Sequence, residues 1–535
     1  MTHRIPPRLF VVALLLALSS PLPGRAAAEL PHPIKGSLVI HGGGKLPDSV
    51  VKEFVKLAGA AEAKLIIIPT AGLTKEEVEA EKYVKAWQAR GFEHVTVLHT
   101  VSRDKAGEKA FVEPLTKATA VWFEGGQQSR LESTYVNTLV EEELYKVLDR
   151  GGVIGGSSAG AAIMSRTMIR QGNPAPEMGS GLGLMPGAII DQHFNQRERK
   201  VRLLAALKEH PGLAGYGIDE GTALVLKSRF MRVVGEGNVT IILGASKTRP
   251  AREIVLKEGG YADLMAMHRA AIARAGDTFP PAELPVPKAL GKGTLVIVGG
   301  GGTPAEALKA FIEEAGGVDA PLVIISNALG DEVPAERVGE VGMLKNAGAK
   351  NVKVIHAKSL EEAGSRAITK SLREAKGIWF SGGRQWRFVD AYENTPALKA
   401  IHEMLEAGGV IGGSSAGATI QGEYLVRGDP LGNTNMMAEG YERGFGFLTG
   451  VAIDQHFAQR KRFADLEDVK RTFPQLMCLG IDESTAIIVK GQTVRVVGKS
   501  NVYIYDRAKL EGGEANYTKL AAGEKYDLKA KKKVQ

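Results

Sequence analysis

The feature that most constrains the fold is an internal duplication. Gly36-Ser-Leu-Val-Ile with Gly42, Gly43 and Gly44 recurs as Gly293-Thr-Leu-Val-Ile with Gly299, Gly300 and Gly301, a shift of 257 residues. The same shift carries His99 onto His356, Trp122-Phe123 onto Trp379-Phe380, Gly125-Gly126 onto Gly382-Gly383, and Ser158 onto Ser415, with no gap from Gly36 to Gly160. Beyond that point the second copy is six residues longer, and Asp191 maps onto Asp454 and Asp219 onto Asp482. A chain of 535 residues is too long for one ordinary core. A repeat of about 220 residues is instead the size of one domain, so two similar domains in tandem are expected.

Each copy alternates short β-branched runs with longer amphipathic ones. Leu38 to Ile40, Leu65 to Ile68, Val95 to Leu98, Ala120 to Phe123 and Val153 to Ile154 read as strands, while Ser49 to Leu57, Lys75 to Ala89 and Thr138 to Leu148 read as helices. That order implies a mostly parallel sheet with helices on both faces. Ala223 to Leu226, Phe230 to Val234 and Val239 to Leu243 read as hairpin-connected strands closing one edge. The expected boundaries are a signal peptide over 1–28, domains over 35–256 and 293–510, a Pro-rich linker over 277–292, and a basic tail over 511–535 that carries a solvated, mobile lysine run.

The N-terminus has the three regions of an export signal: Arg4 and Arg8, an apolar run from Leu9 to Leu18, then Ala26-Ala27-Ala28. The run is too short to span a bilayer. A secreted or periplasmic protein is therefore expected, with no membrane association after cleavage. The formal charge is +8, and much of the surplus sits in the terminal lysines without interleaved aromatics, which argues against a nucleic-acid surface. Cys478 is the single cysteine, so no internal disulfide is available.

The chemistry centres on Gly-Gly-Ser-Ser-Ala-Gly-Ala, at Gly155 to Ala161 and again at Gly412 to Ala418, each after a Gly-Gly-Val-Ile run. Its G-x-S-x-G spacing fits a nucleophile elbow and selects Ser158 and Ser415 over Ser157 and Ser414. One such motif is often a Gly-rich turn with an idle serine; two in matching contexts argue for function. A serine nucleophile needs a base, an orienter for the base, and oxyanion donors. Each copy supplies them in order: His193 and Glu220 in the first, His456 and Glu483 in the second, with the same spacing of 27 residues between His and Glu. His99 and His356 also recur, but at strand ends without a partner motif, and read as structural. Gly42 to Gly44 lacks a phosphate-binding pattern and reads as a turn. The order Ser, His, Glu argues against an α/β-hydrolase, and a glutamine amidotransferase would need Cys at the elbow. There is no H-E-x-x-H or Cys/His cluster, so neither a metal nor a cofactor is expected.

Gly-Ser-Ser-Ala-Gly, Asp-Gln-His-Phe-x-x-Arg-x-Arg and Ile-Asp-Glu-x-Thr-Ala together resemble the cyanophycinase family of serine peptidases, whose relatives include aspartyl dipeptidases. The resemblance covers nearly all of both copies. It implies two three-layer α/β/α sandwiches related to class I glutamine amidotransferases, with Ser158–His193–Glu220 and Ser415–His456–Glu483 as triads. It also implies cyanophycin as substrate, a polyaspartate carrying arginine on each β-carboxyl, with β-Asp-Arg dipeptides released. The Gly-Gly turns (Gly125, Gly126; Gly382, Gly383) and Ala159 or Ala416 are the expected oxyanion donors. Gln128, Asp191, Gln192, Arg197, Arg199 and Arg202, with Gln385, Asp454, Gln455, Arg460 and Arg462, are the expected substrate-binding residues, the arginines as forked donors to carboxylates. The second copy departs from the first with Asp465 for Arg202, Arg384 for Gln127 and Trp386 for Ser129. Two other readings remain: a hydrolase of small α-aspartyl peptides, and a non-catalytic secreted binding module. The two repeats are expected to pack as an intramolecular pseudo-dimer, with tethering holding one near the other at about millimolar effective concentration.

Overall fold

The β-branched runs form the strands that their pattern requires, and those strands assemble into two similar sheets. The computed structural model describes residues 32–276, 278–283, 290–507 and 517–535; the expected signal peptide and part of the linker lie outside them. In the first repeat, Ser37–His41, Val153–Ser157, Ala120–Phe123, Lys64–Ile68 and His94–Val97 lie side by side and parallel. In the second repeat the same order runs through Thr294–Val298, Val410–Ser414, Gly377–Phe380, Leu322–Ile325 and Val352–Ile355. The fold is the α/β class expected from the alternation. Its central strands are buried on both faces, as helix-covered parallel sheets require.

One face of the first sheet is covered by the helices Asp48–Ala58 and Ala80–Gln88, with Phe54, Trp87, Phe92 and Trp122 packed edge to face. The other is covered by Lys109–Thr116, Leu139–Asp149 and a second, smaller sheet. The helix expected over Lys75 to Ala89 is shorter than its sequence pattern and begins at Ala80.

Three expectations are corrected. Val239–Leu243 does not close the main edge; it pairs with Ala214–Ile218 and Arg252–Leu256 in the smaller sheet, which also holds Ala188–Gln192. The first domain does not end at 256, because Tyr261–Asp263 adds the outermost strand of the main sheet. Over its described residues, 517–535, the tail is folded and not a mobile end; 511–516 lie outside the described residues. Thr518–Ala521, Lys525–Asp527 and Lys532–Val534 are strands, and Leu520, Tyr526 and Leu528 are fully buried between the exposed lysines. Lys525–Asp527 pairs with Thr493–Gly498 as Tyr261–Asp263 pairs with Phe230–Gly235, so the duplication continues into the tail.

Pro31–Gln535 forms one compact unit, and a charged seam joins its repeats. Arg229 donates to Asp390 (2.7 Å) and to the Tyr441 hydroxyl (2.9 Å). Arg249 and Arg274 converge on Glu439, Arg249 also reaches Glu442, and Arg269 pairs with Glu393. Every guanidinium here comes from the first repeat and every carboxylate from the second. The helix Leu264–Ala275 carries Ala266 into the second repeat's core. Among the described residues no helix is long and apolar enough to cross a membrane.

Candidate active site

The elbow forms because the strand Val153–Ser157 must turn into the helix Ala159–Ala162 within one residue. Ser158 absorbs that turn at φ 53°, ψ −108°, and Ser415 at φ 55°, ψ −111°. This is backbone strain of the kind that proteins hold at functional positions. The flanking glycines are sterically required. A Cβ on Gly156 would sit 2.4 Å from the Gly160 carbonyl oxygen, and one on Gly160 would sit 2.4 Å from that of Phe123.

Ser158 Oγ lies 2.8 Å from His193 Nε2, and His193 Nδ1 lies 2.5 Å from Glu220 Oε1. In the second repeat the matching distances are 3.0 and 2.5 Å. The loops that carry the histidine and the acid are locked together. Asp219 accepts from the backbone N–H groups of Asn195 and Asn238, and Gln196 Oε1 accepts from the N–H of Glu220. Asp482 and Gln459 do the same in the second repeat. Ser157, the serine not selected, bonds instead to His41 Nδ1 at 2.9 Å.

Burial holds His193 below its ordinary pKa; the Glu220 carboxylate opposes this and the nearby Arg197 and Arg199 reinforce it. His456 is lowered in the same way, with Glu483 opposing and Arg460 and Arg462 reinforcing. Both imidazoles are therefore neutral and able to accept a proton at neutral pH. The expected consequence is an acid limb of kcat/KM with its midpoint below 6.5, the ordinary histidine value; a pH–rate profile with a midpoint at or above 6.5 would contradict it.

Of the expected oxyanion donors, Gly125 lies against the serine: a Cβ placed on it would be 3.5 Å from Ser158 Cβ, and one on Gly382 would be 3.8 Å from Ser415 Cβ. Gly126 and Gly383, at φ 149° and 127°, bring the chain so close to Ala71 and Ala328 that a Cβ would meet those carbonyl oxygens at 2.2 Å. Ala159 and Ala416 are buried at the first position of their helices.

The expected substrate-binding residues divide. Arg197 and Arg460 are exposed near their histidines. The others are engaged within the protein, except for Gln455, whose side-chain oxygen is buried without a partner. Asp191 and Arg202 are buried against each other, with Arg202 Nε 2.8 Å from Asp191 Oδ2 and its third nitrogen on the Gly172 carbonyl. Arg199 reaches the Gln192 carbonyl at 2.6 Å and the Gln192 side chain. Arg462 binds Asp454 and the Gln455 carbonyl, both at 2.8 Å. Gln128 and Gln385 use their amide nitrogens on the carbonyls of Ile169, Val426 and Arg427. These groups hold up the floor of the site, because a buried carboxylate must be paired and a buried carbonyl bonded.

Three sequence differences acquire a physical meaning. Where Arg202 is replaced by Asp465, the buried cation is supplied by Arg427, which binds both Asp454 (3.1 Å) and Asp465 (2.7 Å). Trp386 stands at the seam, stacked under the Arg229 guanidinium 4.4 Å from its ring centre. Arg384 holds the longer loop of the second repeat by the carbonyls of Asp429 and Gly432.

Sequence reasoning missed the walls of the site. Gly43 and Gly300, at φ 99° and 98°, lie under the imidazoles, where a Cβ would meet His193 Cε1 or His456 Cε1 at 2.3 Å. The recurrence of the triple glycine was the available signal. His41, fully buried, is held at a pKa of about 4 by burial and by its neighbour His193; Val298 replaces it in the second repeat. His99 and His356 tie down loops through both ring nitrogens, as structural histidines do.

The description "Peptidase family S51" matches this sequence over residues 38–234 and again over 295–497. The cyanophycinase of Geminocystis herdmanii is 33% identical over 260 residues, covering 46% of this chain and 94% of the relative. The cyanophycinase of Nostoc sp. is 34% identical over 203 residues, covering 36% and 67%. Among solved structures, a peptidase from an acI-B1 Actinobacterium aligns over 45% of this chain and 98% of its own, at 23% identity and a TM-score of 0.36.

Proposed function

This chain belongs to peptidase family S51 and is a serine-type peptidase, and from that premise we propose that each repeat hydrolyses β-aspartyl peptides of the cyanophycin type through its own Ser–His–Glu triad. The observation that carries this reading is the same unbroken hydrogen-bond chain in both repeats. Ser158 Oγ attacks the scissile carbonyl while His193 takes its proton, and Glu220 holds the imidazolium that forms. The N–H groups of Gly125 and Ala159 receive the oxyanion. The imidazolium then protonates the departing amine, and water, deprotonated by the same histidine, releases the acyl group. In the second repeat Ser415, His456, Glu483, Gly382 and Ala416 take these parts. Arg197 and Arg460, exposed beside the histidines, offer forked donors to the carboxylates of an acidic substrate.

The N-terminal pattern of Arg4, Arg8, the apolar run and the alanines supports export to the periplasm or beyond. The seam of arginines on carboxylates, together with the shared helix Leu264–Ala275, supports packing of the two repeats as an intramolecular pseudo-dimer. Small-angle scattering should then fit one compact particle; a profile of two separated lobes would refute it.

The substrate is tested by incubating the mature protein with cyanophycin and with α-linked Asp-Arg peptides and identifying the products by mass spectrometry. Release of β-Asp-Arg dipeptides from the polymer is expected. Cleavage of the α-linked peptides alone would replace the proposal with an α-aspartyl dipeptidase.

A further inference from the structure

The two sites share their Ser–His–Glu geometry but differ at the oxyanion position. In the second repeat the N–H of Gly382 already donates to a carboxylate, Glu340 Oε1, at 3.3 Å. Glu340 stands at the start of the helix Gly339–Asn346 and is only partly buried, so it can leave without opening a cavity. The matching residue of the first repeat is Tyr83, on the helix Ala80–Gln88. Tyr83 lies near Glu124, the residue before Gly125, and its burial raises its pKa, so it remains a neutral phenol. Among the described residues no side chain bonds to the N–H of Gly125. Glu124 itself faces away from the donor, accepting from Trp87 Nε1 at 3.2 Å.

The consequence follows from charge. A tetrahedral intermediate places its negative oxygen where the carboxylate of Glu340 now sits. Two anions cannot share one donor, and in a partly desolvated site their repulsion is larger than in water. The acyl oxygen can take the Gly382 N–H only after Glu340 has swung out. We propose that Glu340 gates the second site, holding Ser415 less reactive than Ser158 until the carboxylate is displaced. The same charge sets a preference. An acyl group that brings a cation beside the scissile carbonyl can draw Glu340 off the donor, whereas an anionic one cannot.

The proposal rests on the reading of Ser415 as a nucleophile, and the test separates the two. The full chain is treated with a neutral alkyl fluorophosphonate. Serine Oγ bonds to phosphorus, fluoride leaves, and the serine proton passes to the histidine. Mass spectrometry of the peptides then gives the labelling rates at Ser158 and Ser415 in the same molecules. In the unmodified chain Ser158 should react about tenfold faster or more, within the about 10²- to 10³-fold that an oxyanion donor commands. Glu340→Tyr and Glu340→Gln should each raise the Ser415 rate by about tenfold and leave Ser158 unchanged, which also shows that the chain is folded. The reciprocal Tyr83→Glu should slow Ser158. Labelling of Ser415 at one rate in all of these chains would overturn the gate alone. If Ser415 stays unlabelled after both Glu340 substitutions while Ser158 reacts, the second nucleophile fails and the gate fails with it.

Discussion

Replacing both elbow serines, Ser158→Ala with Ser415→Ala, is expected to lower peptide hydrolysis by about 10⁴-fold or more, the scale on which loss of a serine nucleophile acts. Neither hydroxyl supports the fold. Each serine is half-buried at the top of a strand, and its Oγ bonds to a histidine that Glu220 or Glu483 already holds. The circular dichroism spectrum and unfolding midpoint should therefore match those of the unmodified protein. A double variant that keeps a tenth of the rate would show that the elbow is not the nucleophile.

The second large effect contrasts two positions that align with each other. Arg202 is buried, with two nitrogens on the buried carboxylate of Asp191. Burial pushes that carboxyl's pKa upward, and the two neighbouring guanidiniums work against the push. Arg202→Met leaves Asp191 only the contact with Arg199 at 3.5 Å, and should destabilise the protein by about 3–5 kcal/mol. Asp465, the aligned residue, is 47% exposed and is one of two acids on Arg427. Asp465→Asn should cost no more than about 1 kcal/mol. Urea unfolding measures both; equal losses would contradict the assignment of Arg427 as the second repeat's buried cation.

That exchange also marks where the sequence stops being legible. The parallel strands could be read because each is a short β-branched run between turns, and the helices on both faces follow from the alternation. The serines, histidines and glutamates could be read because their order and spacing recur. The second partner of Asp454, beside Arg462, could not: Arg427 lies 27 residues before it, outside the aligned motif, and only folding brings the two together. The same holds for Arg202, whose place in a basic run suggested a substrate contact although its side chain is buried. The tail misled by charge. Lys525 faces solvent beside the buried Tyr526 in one strand, and Lys532 and Lys533 are exposed on the outermost strand paired with it, so one buried aromatic among many lysines was the only sign of folding in that pair. Gly43 and Gly300 read as turns because close approach to an imidazole leaves no mark in sequence except the absence of a side chain.

The central claim is that the chain carries two complete hydrolytic sites, and single-serine variants test it most directly. Rates of peptide hydrolysis are measured for Ser158→Ala, Ser415→Ala and the double variant under the same conditions. The account predicts that Ser415→Ala keeps most of the activity. Ser158→Ala should keep a smaller rate, still about 100-fold or more above the double variant, because an intact triad with its oxyanion donors contributes far more than binding alone. If Ser158→Ala is as inactive as the double variant while remaining folded, the second repeat is a scaffold for the first and the account is wrong.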